Sequence, residues 1–183
     1  MGERQPKVLL EGRPGVGKTT VVRRLAVRLR DAGIPVGGFT TRELREGGRR
    51  KGFVAEEIDG PEALIAHADW TDGITVGRYR VDTAALERIA LPAMLHARRR
   101  GGVLLVDELG RMELASTACV QAFRAMFDQD MAVVATVHAV AHPESDALKR
   151  RPDVDLLRVT PANRDDLPRR LGDLLARARS GLR

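Results

Sequence analysis

The chain has 183 residues, of which 43% are hydrophobic and 31% charged, with a formal net charge of +6. That length and balance suit one folded domain, large enough for a sheet with helices on both faces, and they exclude long disorder. Cys119 is the only cysteine, which excludes an internal disulfide.

Membrane and secretory classes are excluded next. Met1 to Pro6 is polar with no charged-then-apolar signal pattern, and no run of about 18 apolar residues follows. Pro6 stands where a myristoylation signal needs Ser or Thr. A cytoplasmic protein is expected. The positive charge is mostly arginine, clustered at Arg49-Arg50-Lys51, Arg98-Arg99-Arg100, Lys149-Arg150-Arg151 and Arg169-Arg170. These clusters fall at the ends of expected elements, as solvated charge does. Aromatics are only 3%, too few for the stacking platforms of single-strand binders. A polyanionic nucleotide is the expected partner, and nucleic acid is not.

Lys7-Val8-Leu9-Leu10 is a short apolar run that predicts a buried strand. Gly12-Arg13-Pro14-Gly15-Val16-Gly17-Lys18-Thr19, followed by Thr20, fits the phosphate-binding loop G-x-x-x-x-G-K-[ST]. Val21, Val22, Leu25, Ala26 and Leu29 then recur at helical spacing. Strand, glycine loop and helix together form the context that motif requires. Gly12, Gly15 and Gly17 permit the backbone conformations that turn successive N–H groups onto one anion. The helix start adds its positive dipole end and free donors. Lys18 reaches the β- and γ-phosphates, and Thr19 is placed to ligate Mg²⁺.

Asp31-Ala32-Gly33 and Pro35 end the first helix. Val36 to Thr41 and Gly52 to Ile58 read as strands about a polar stretch centred on Gly47-Gly48, a β-hairpin. Its arginines are either solvated edge charge or a flap that faces phosphate. Gly37 and Gly38 mark a place where the backbone approaches something closely. From Asp59 to Val81 the pattern is weak. Trp70 lies here and either packs the hairpin or stacks on a base. Asp82 is expected to cap a helix bearing Leu86, Ile89, Ala90 and Ala93, kinked or divided at Pro92.

Val103-Leu104-Leu105-Val106-Asp107-Glu108 is a second chemical stretch. Four consecutive apolar residues predict a strand buried on both faces, as in parallel sheets, and ligands bind at the carboxyl edge of such sheets. An apolar strand ending in Asp is the Walker B pattern. Asp107 would hold Mg²⁺ and Glu108 would be the general base. Ser116 starts a further helix with Val120, Phe123 and Phe127 inward, and Ala132 to Val137 is another buried strand. Thr136 and His138 are candidate γ-phosphate sensors; His138 and His142 are equally read as plain loop residues. Asp155 to Thr160 is a last short strand, and Asp165 or Asp166 caps a terminal helix carrying Leu167, Leu171, Leu174, Leu175 and Ala178. The fold class read from this order is α/β, three-layered, with a mostly parallel central sheet and a β-hairpin.

Phe39-Thr40-Thr41-Arg42-Glu43, Gly52-Phe53, Tyr79-Arg80-Val81-Asp82, Asp107-Glu108-Leu109-Gly110-Arg111-Met112-Glu113 and Thr160-Pro161-Ala162-Asn163-Arg164 follow the glycine loop in this order. With them the chain resembles the thermophile-type, or cancer-related, nucleoside-triphosphatase family over nearly its full length. The Asp-Glu-aliphatic-Gly-basic-Met-Glu segment is the most specific part. The resemblance implies a single RecA/ASCE-like P-loop domain over residues 1–183, with an extra strand between the two Walker strands. It implies Mg²⁺-dependent hydrolysis of ATP, GTP, CTP and UTP to the diphosphate and phosphate, with broad base tolerance and slow turnover; a monomer is the separate expectation. It places Asn163 and Arg164 at the border of the base. Arg111 stands where the family usually has Lys, and Arg111 or Arg78 is a candidate internal arginine finger. Two other functions compete. One is a nucleotide or small-molecule kinase whose basic hairpin acts as a lid. The other is a nucleic-acid-associated module that uses the nucleotide as a switch.

Overall fold

The structure, a computed structural model, describes residues 4–180. Strand β1 (Lys7–Gly12) leads through the glycine loop into α1 (Lys18–Asp31). Five strands follow: β2 (Val36–Glu46), β3 (Arg49–Glu57), β4 (Glu62–His67), β5 (Ile74–Val76) and β6 (Tyr79–Val81). Then come α2 (Thr83–Arg99), β7 (Val103–Leu109), α3 (Thr117–Asp128) and β8 (Val133–His138). The chain closes with α4 (Pro143–Lys149), β9 (Asp155–Arg158) and α5 (Leu167–Ser180).

Among the described residues these strands form one sheet in the order β5-β6-β4-β3-β2-β7-β8-β1-β9. The run β2-β7-β8-β1-β9 is parallel throughout, and β3, β4, β6 and β5 continue it antiparallel. Strand β8 therefore lies between β1 and β7, the extra strand that the family resemblance implied. Side chains alternate across a strand. Val8, Leu10, Val103 and Leu105 pack under α1 and α5, whereas Leu9, Leu104 and Val106 pack under α2 and α3. Two apolar layers on one sheet give the three-layer architecture.

Several expectations were too modest. The hairpin strands run to Glu46 and from Arg49, so the polar stretch is itself strand, turned by Gly47 and Gly48 at φ +53° and +76°. Its charges hide the alternation that marks a half-buried strand. The weakly patterned stretch after it holds β4, β5 and β6, whose short length leaves periodicity little to register. Pro92 does not divide α2, which runs unbroken for 17 residues. Ile89, Ala90, Ala93 and Met94 around it are buried, and each large apolar side chain contributes about 1.5–3 kcal/mol, against about 3 kcal/mol for an interior proline. Tertiary packing outweighs the local break.

The close approach expected at Gly37 and Gly38 is present. A Cβ on Gly37 would lie 2.7 Å from Ala97 Cα, and one on Gly38 would lie 1.8 Å from Leu105 O. Gly38 also has φ +119°. Two of the three caps read from sequence form as well: Asp82 accepts from Ala85 N at 2.9 Å and Ser116 accepts from Cys119 N at 3.0 Å, whereas the Asp165 and Asp166 carboxylates accept from Arg24 and Arg169.

Candidate functional site

The loop after β1 turns through Gly15 at φ +76° and Gly17 at φ +112°. Both sit in the left-handed region, where a side chain would be strained. Gly12 serves otherwise. It needs no left-handed backbone, but a Cβ there would meet Val16 Cγ1 at 2.9 Å and Val159 O at 3.2 Å. Gly17 starts α1, so the first N–H groups of the helix point out of its end beside the loop. Lys18 is buried with its ammonium on Gly12 O at 2.9 Å. An ammonium has three donors, and beyond this carbonyl it lies 3.5 Å from Glu108 Oε2. A buried cation at a helix N-terminus, above a glycine loop, is chemistry that suits a phosphate.

Sheet register brings the second stretch to the same edge. Gly12 lies opposite His138, and Thr40 lies opposite Asp107. The β7–β8 ladder breaks between Val106 and Leu109, which frees Asp107 and Glu108 from regular pairing with β8. Asp107 is 1% exposed. Burial pushes its carboxyl up from the usual range, while hydrogen bonds from Thr19 and Thr136 act in the opposite sense. The Thr136 hydroxyl donates to Asp107 Oδ1 at 2.7 Å, and Thr41 donates to the Asp107 carbonyl at 3.1 Å. Glu108 is the more accessible acid. Its Oε2 lies 3.5 Å from Lys18 Nζ and its Oε1 lies 3.1 Å from His138 Nε2.

Thr19 and Asp107 thus stand near each other as a hydroxyl and a carboxylate, both hard oxygen donors. Among the described residues no group of three or more His, Cys, Asp or Glu side chains is placed to hold a metal. Mg²⁺ rarely asks for such a cage, since it keeps waters and takes one or two protein oxygens with substrate phosphates. The residues fit that ion.

A cleft of about 690 Å³ joins these parts. The loop and Lys18 form one wall, Glu108, Gly110 and His138 the floor, and Phe53, Val76, Tyr79 and Met112 the opposite wall. Glu113 lies beneath the floor, 4% exposed, and accepts from Gly110 N at 3.1 Å. Burial pushes its carboxyl up to about 8. Gly110 separates the two acids: a Cβ there would be 3.1 Å from Glu113 Oε2 and 3.3 Å from Glu108 Oε1.

The remaining sequence-derived residues divide. Arg13, Pro14, Val16 and Thr20 belong to the loop and the first turn of α1, with Arg13, Pro14 and Thr20 exposed. Arg164 leans on that loop, donating to Val16 O at 3.2 Å. Asn163 is engaged with backbone, accepting from Thr160 N and donating to Arg158 O, each at 2.8 Å. Arg111 lines the cleft, whereas Arg78 points its guanidinium at Tyr79 and at Arg50 O. Trp70 is half-buried with its ring 6.0 Å from His67. Four of the five hairpin cations are paired: Arg42 with Glu62, Arg45 and Arg50 with Glu43, Lys51 with Asp69.

Sequence reading did not anticipate two contributors. Glu113 stood inside the quoted motif, but nothing local marks a carboxylate as buried. Lys149, from the unforeseen α4, donates to Glu11 Oε1 at 2.7 Å and to His138 O at 2.9 Å, tying β1 to the end of β8.

A parallel sheet with a glycine phosphate loop at its carboxyl edge, and two acids on a neighbouring strand, defines an α/β P-loop nucleotide-binding protein. The family model described as NTPase matches residues 7–171. The chain is 37% identical over 161 residues to the nucleoside-triphosphatase THEP1 of Thermotoga petrophila, covering 88% of each. It is 34% identical to the human cancer-related nucleoside-triphosphatase, covering 87% of this chain and 91% of that one. The crystal structure of THEP1 from Aquifex aeolicus superposes with a TM-score of 0.83 at 34% identity, covering 92% of this chain and 98% of the other. The chain belongs to this nucleoside-triphosphatase family.

Proposed function

We propose that the protein is a Mg²⁺-dependent nucleoside-triphosphatase that hydrolyses ATP, GTP, CTP and UTP to the diphosphate and phosphate. The observation that carries this is Glu108, held at the end of β7 between Lys18 at 3.5 Å and His138 at 3.1 Å, in the cleft that opens on the phosphate loop. The loop and Lys18 bind the β- and γ-phosphates, so the γ-phosphorus faces Glu108. Water attacks that phosphorus, its proton passes to Glu108 Oε2 or Oε1, and the bond from γ-phosphorus to the bridging oxygen breaks. Lys18 balances the charge that gathers on the bridging and γ-oxygens. Mg²⁺, held by Thr19 and Asp107, would supply further neutralisation of those oxygens.

Broad base tolerance has local support. The Asn163 amide is engaged with Thr160 N and Arg158 O, and Arg164 turns to Val16 O. With the Asn163 amide already engaged, little polar reading of a base edge is left to it. The reading includes a single-domain, cytoplasmic monomer; no described helix is long and apolar enough to cross a membrane. Nucleic acid is left out because aromatic residues make up only 3% of the chain, too few for the stacking platforms of single-strand binders.

The test is phosphate release with Mg²⁺ and each of the four triphosphates, for the wild type and Lys18→Ala. Release from all four, lost on substitution and on chelation of the metal, is expected. Release confined to one base would remove broad tolerance, and tight nucleotide binding without release would remove the hydrolase.

A further inference from the structure

The cleft is wider than hydrolysis requires. Water needs Glu108 and the γ-phosphate, both at the floor and the loop wall. The opposite wall is built differently. In the sheet order β3-β2-β7-β8-β1, strand β7 with Glu108 stands between the phosphate loop on β1 and the hairpin of β2 and β3. A nucleotide seated on the loop keeps its γ end at Lys18 and Glu108, and its base end at the start of α1 beside Arg164. The space beyond Glu108 is therefore not taken by the nucleotide.

That space is lined by Phe53, Val76 and Met112, each half-buried with apolar surface toward the cleft, and Val140 stands 53% exposed at its rim. Phe53 is braced by Tyr79, edge to face at 5.2 Å, with the Arg50 guanidinium 5.4 Å from its ring centroid, and Tyr79 is 6% exposed and held by Arg50 and Arg78. A braced aromatic face is a preorganised surface for a flat apolar group. One cation stands with it. Arg111 is exposed on the cleft and, among the described residues, makes no ion pair, whereas Arg42 and Arg50 are paired with Glu62 and Glu43.

We propose that this wall is a second ligand subsite, which takes a small alcohol with a flat apolar body and an anionic substituent, as acceptor of the γ-phosphoryl group. The body lies on Phe53, Val76 and Met112, the anion meets Arg111, and the hydroxyl is presented to Glu108. The acceptor oxygen bonds to the γ-phosphorus, its proton passes to the Glu108 carboxylate, and the bond from that phosphorus to the bridging oxygen breaks. The products are a phosphate monoester and the nucleoside diphosphate, and hydrolysis is the same step with water in the acceptor's place. The proposal rests on the nucleotide site described above and adds the acceptor to it.

The test follows the γ-phosphoryl group of ATP by phosphorus NMR in the presence of Mg²⁺ and one of three probes at equal millimolar concentration. The probes are 4-(hydroxymethyl)benzoate, benzyl alcohol and glycerol. Both aromatic alcohols are expected to give a phosphate ester, with an ester-to-phosphate ratio about tenfold above that of glycerol, the factor that 1.4 kcal/mol of contact provides. Arg111→Ala is expected to lower the ratio for the benzoate about tenfold and to leave that for benzyl alcohol unchanged. Val76→Ser is expected to lower the ratio for both, and because the ratio is internal to each reaction, a slower or less stable variant does not imitate this result. No ester from either aromatic alcohol in excess of glycerol, with phosphate still released, overturns the subsite and leaves the hydrolase standing. Ester formation without phosphate release in water alone keeps the subsite and overturns the hydrolase.

Discussion

His138 Nε2 lies 3.1 Å from Glu108 Oε1, while Lys18 approaches the other oxygen of the same carboxylate at 3.5 Å. The histidine comes from the end of β8 and the acid from β7, two strands joined only by register. On the proposed mechanism His138 is expected to position Glu108. A hydrogen bond to a charged group contributes about 1.5–3 kcal/mol, which corresponds to roughly tenfold to a hundredfold in rate. His138→Ala is expected to lower kcat within that range with little change in KM, and His138→Gln to restore part of it. Steady-state phosphate release checks both, and a changed KM at constant kcat would assign His138 to substrate binding instead.

Glu108→Gln preserves shape but removes the proton acceptor. Nucleotide affinity, measured by calorimetry, is expected to persist while turnover falls ~10²–10⁴-fold, the usual worth of a general base. Unchanged turnover would take Glu108 out of the mechanism.

Asp107 is buried and shares its carboxylate with Thr19 and Thr136. Asp107→Asn keeps the size and loses the charge that suits a hard cation. The Mg²⁺ concentration for half-maximal phosphate release is expected to rise at least ~10–100-fold, the range seen even for outer partners of metal ligands. A metal titration that overlays the wild type would relocate the ion.

Glu113 is buried, and its carboxyl is pushed up to about 8 from the usual 4.5. Between those values the unfolded chain has lost the proton and the folded chain keeps it. Folding therefore binds a proton, and stability from this group declines as pH rises from about 4.5 through about 8. Glu113→Gln removes the titration and retains an acceptor for Gly110 N. The variant is expected to melt above the wild type at pH 8–9 and to lose that advantage near pH 4.5. Equal differences in Tm at both pH values would show that Glu113 is not neutral in the fold.

Gly38 combines φ +119° with a Cβ position 1.8 Å from Leu105 O, a backbone atom that cannot move aside without breaking the β2–β7 ladder. Gly38→Ala is expected to cost at least ~3 kcal/mol, at the severe end for a point substitution. Gly48→Ala has open space around its Cβ and pays only for its φ of +76°, about 1–2 kcal/mol. Urea unfolding of the two variants side by side tests the difference.

Much of this was legible in the chain itself. The phosphate loop was readable because its chemistry is local. Glycines that turn left-handed, a lysine and a threonine must be consecutive to surround one anion, so the spacing survives as a motif. Asp107 and Glu108 were readable because four apolar residues before them announce a buried parallel strand and place the acids at its carboxyl end. The caps Asp82 and Ser116 were readable for the same reason, since a cap acts within three residues.

Other features had no local signature. Burial of Glu113 depends on what the 3₁₀ turn at Glu113–Ala115 packs beneath, and the approach of His138 to Glu108 depends on the β7–β8 register. Helix α4 is only seven residues long and polar enough to pass for loop, yet its Lys149 fastens β1 to β8. The unbroken helix through Pro92 and the pairing of the hairpin arginines were likewise settled by neighbours remote in sequence.

The sequence by itself determined the phosphate loop, the two acids, the α/β class and the family, because each of these is carried by residues that act within one turn or one strand. The tertiary structure alone decided which groups face Glu108, that Glu113 is buried, and that the cleft has an apolar wall beyond the phosphate site. Those depend on strand order and burial, which join residues across distances that no local pattern records.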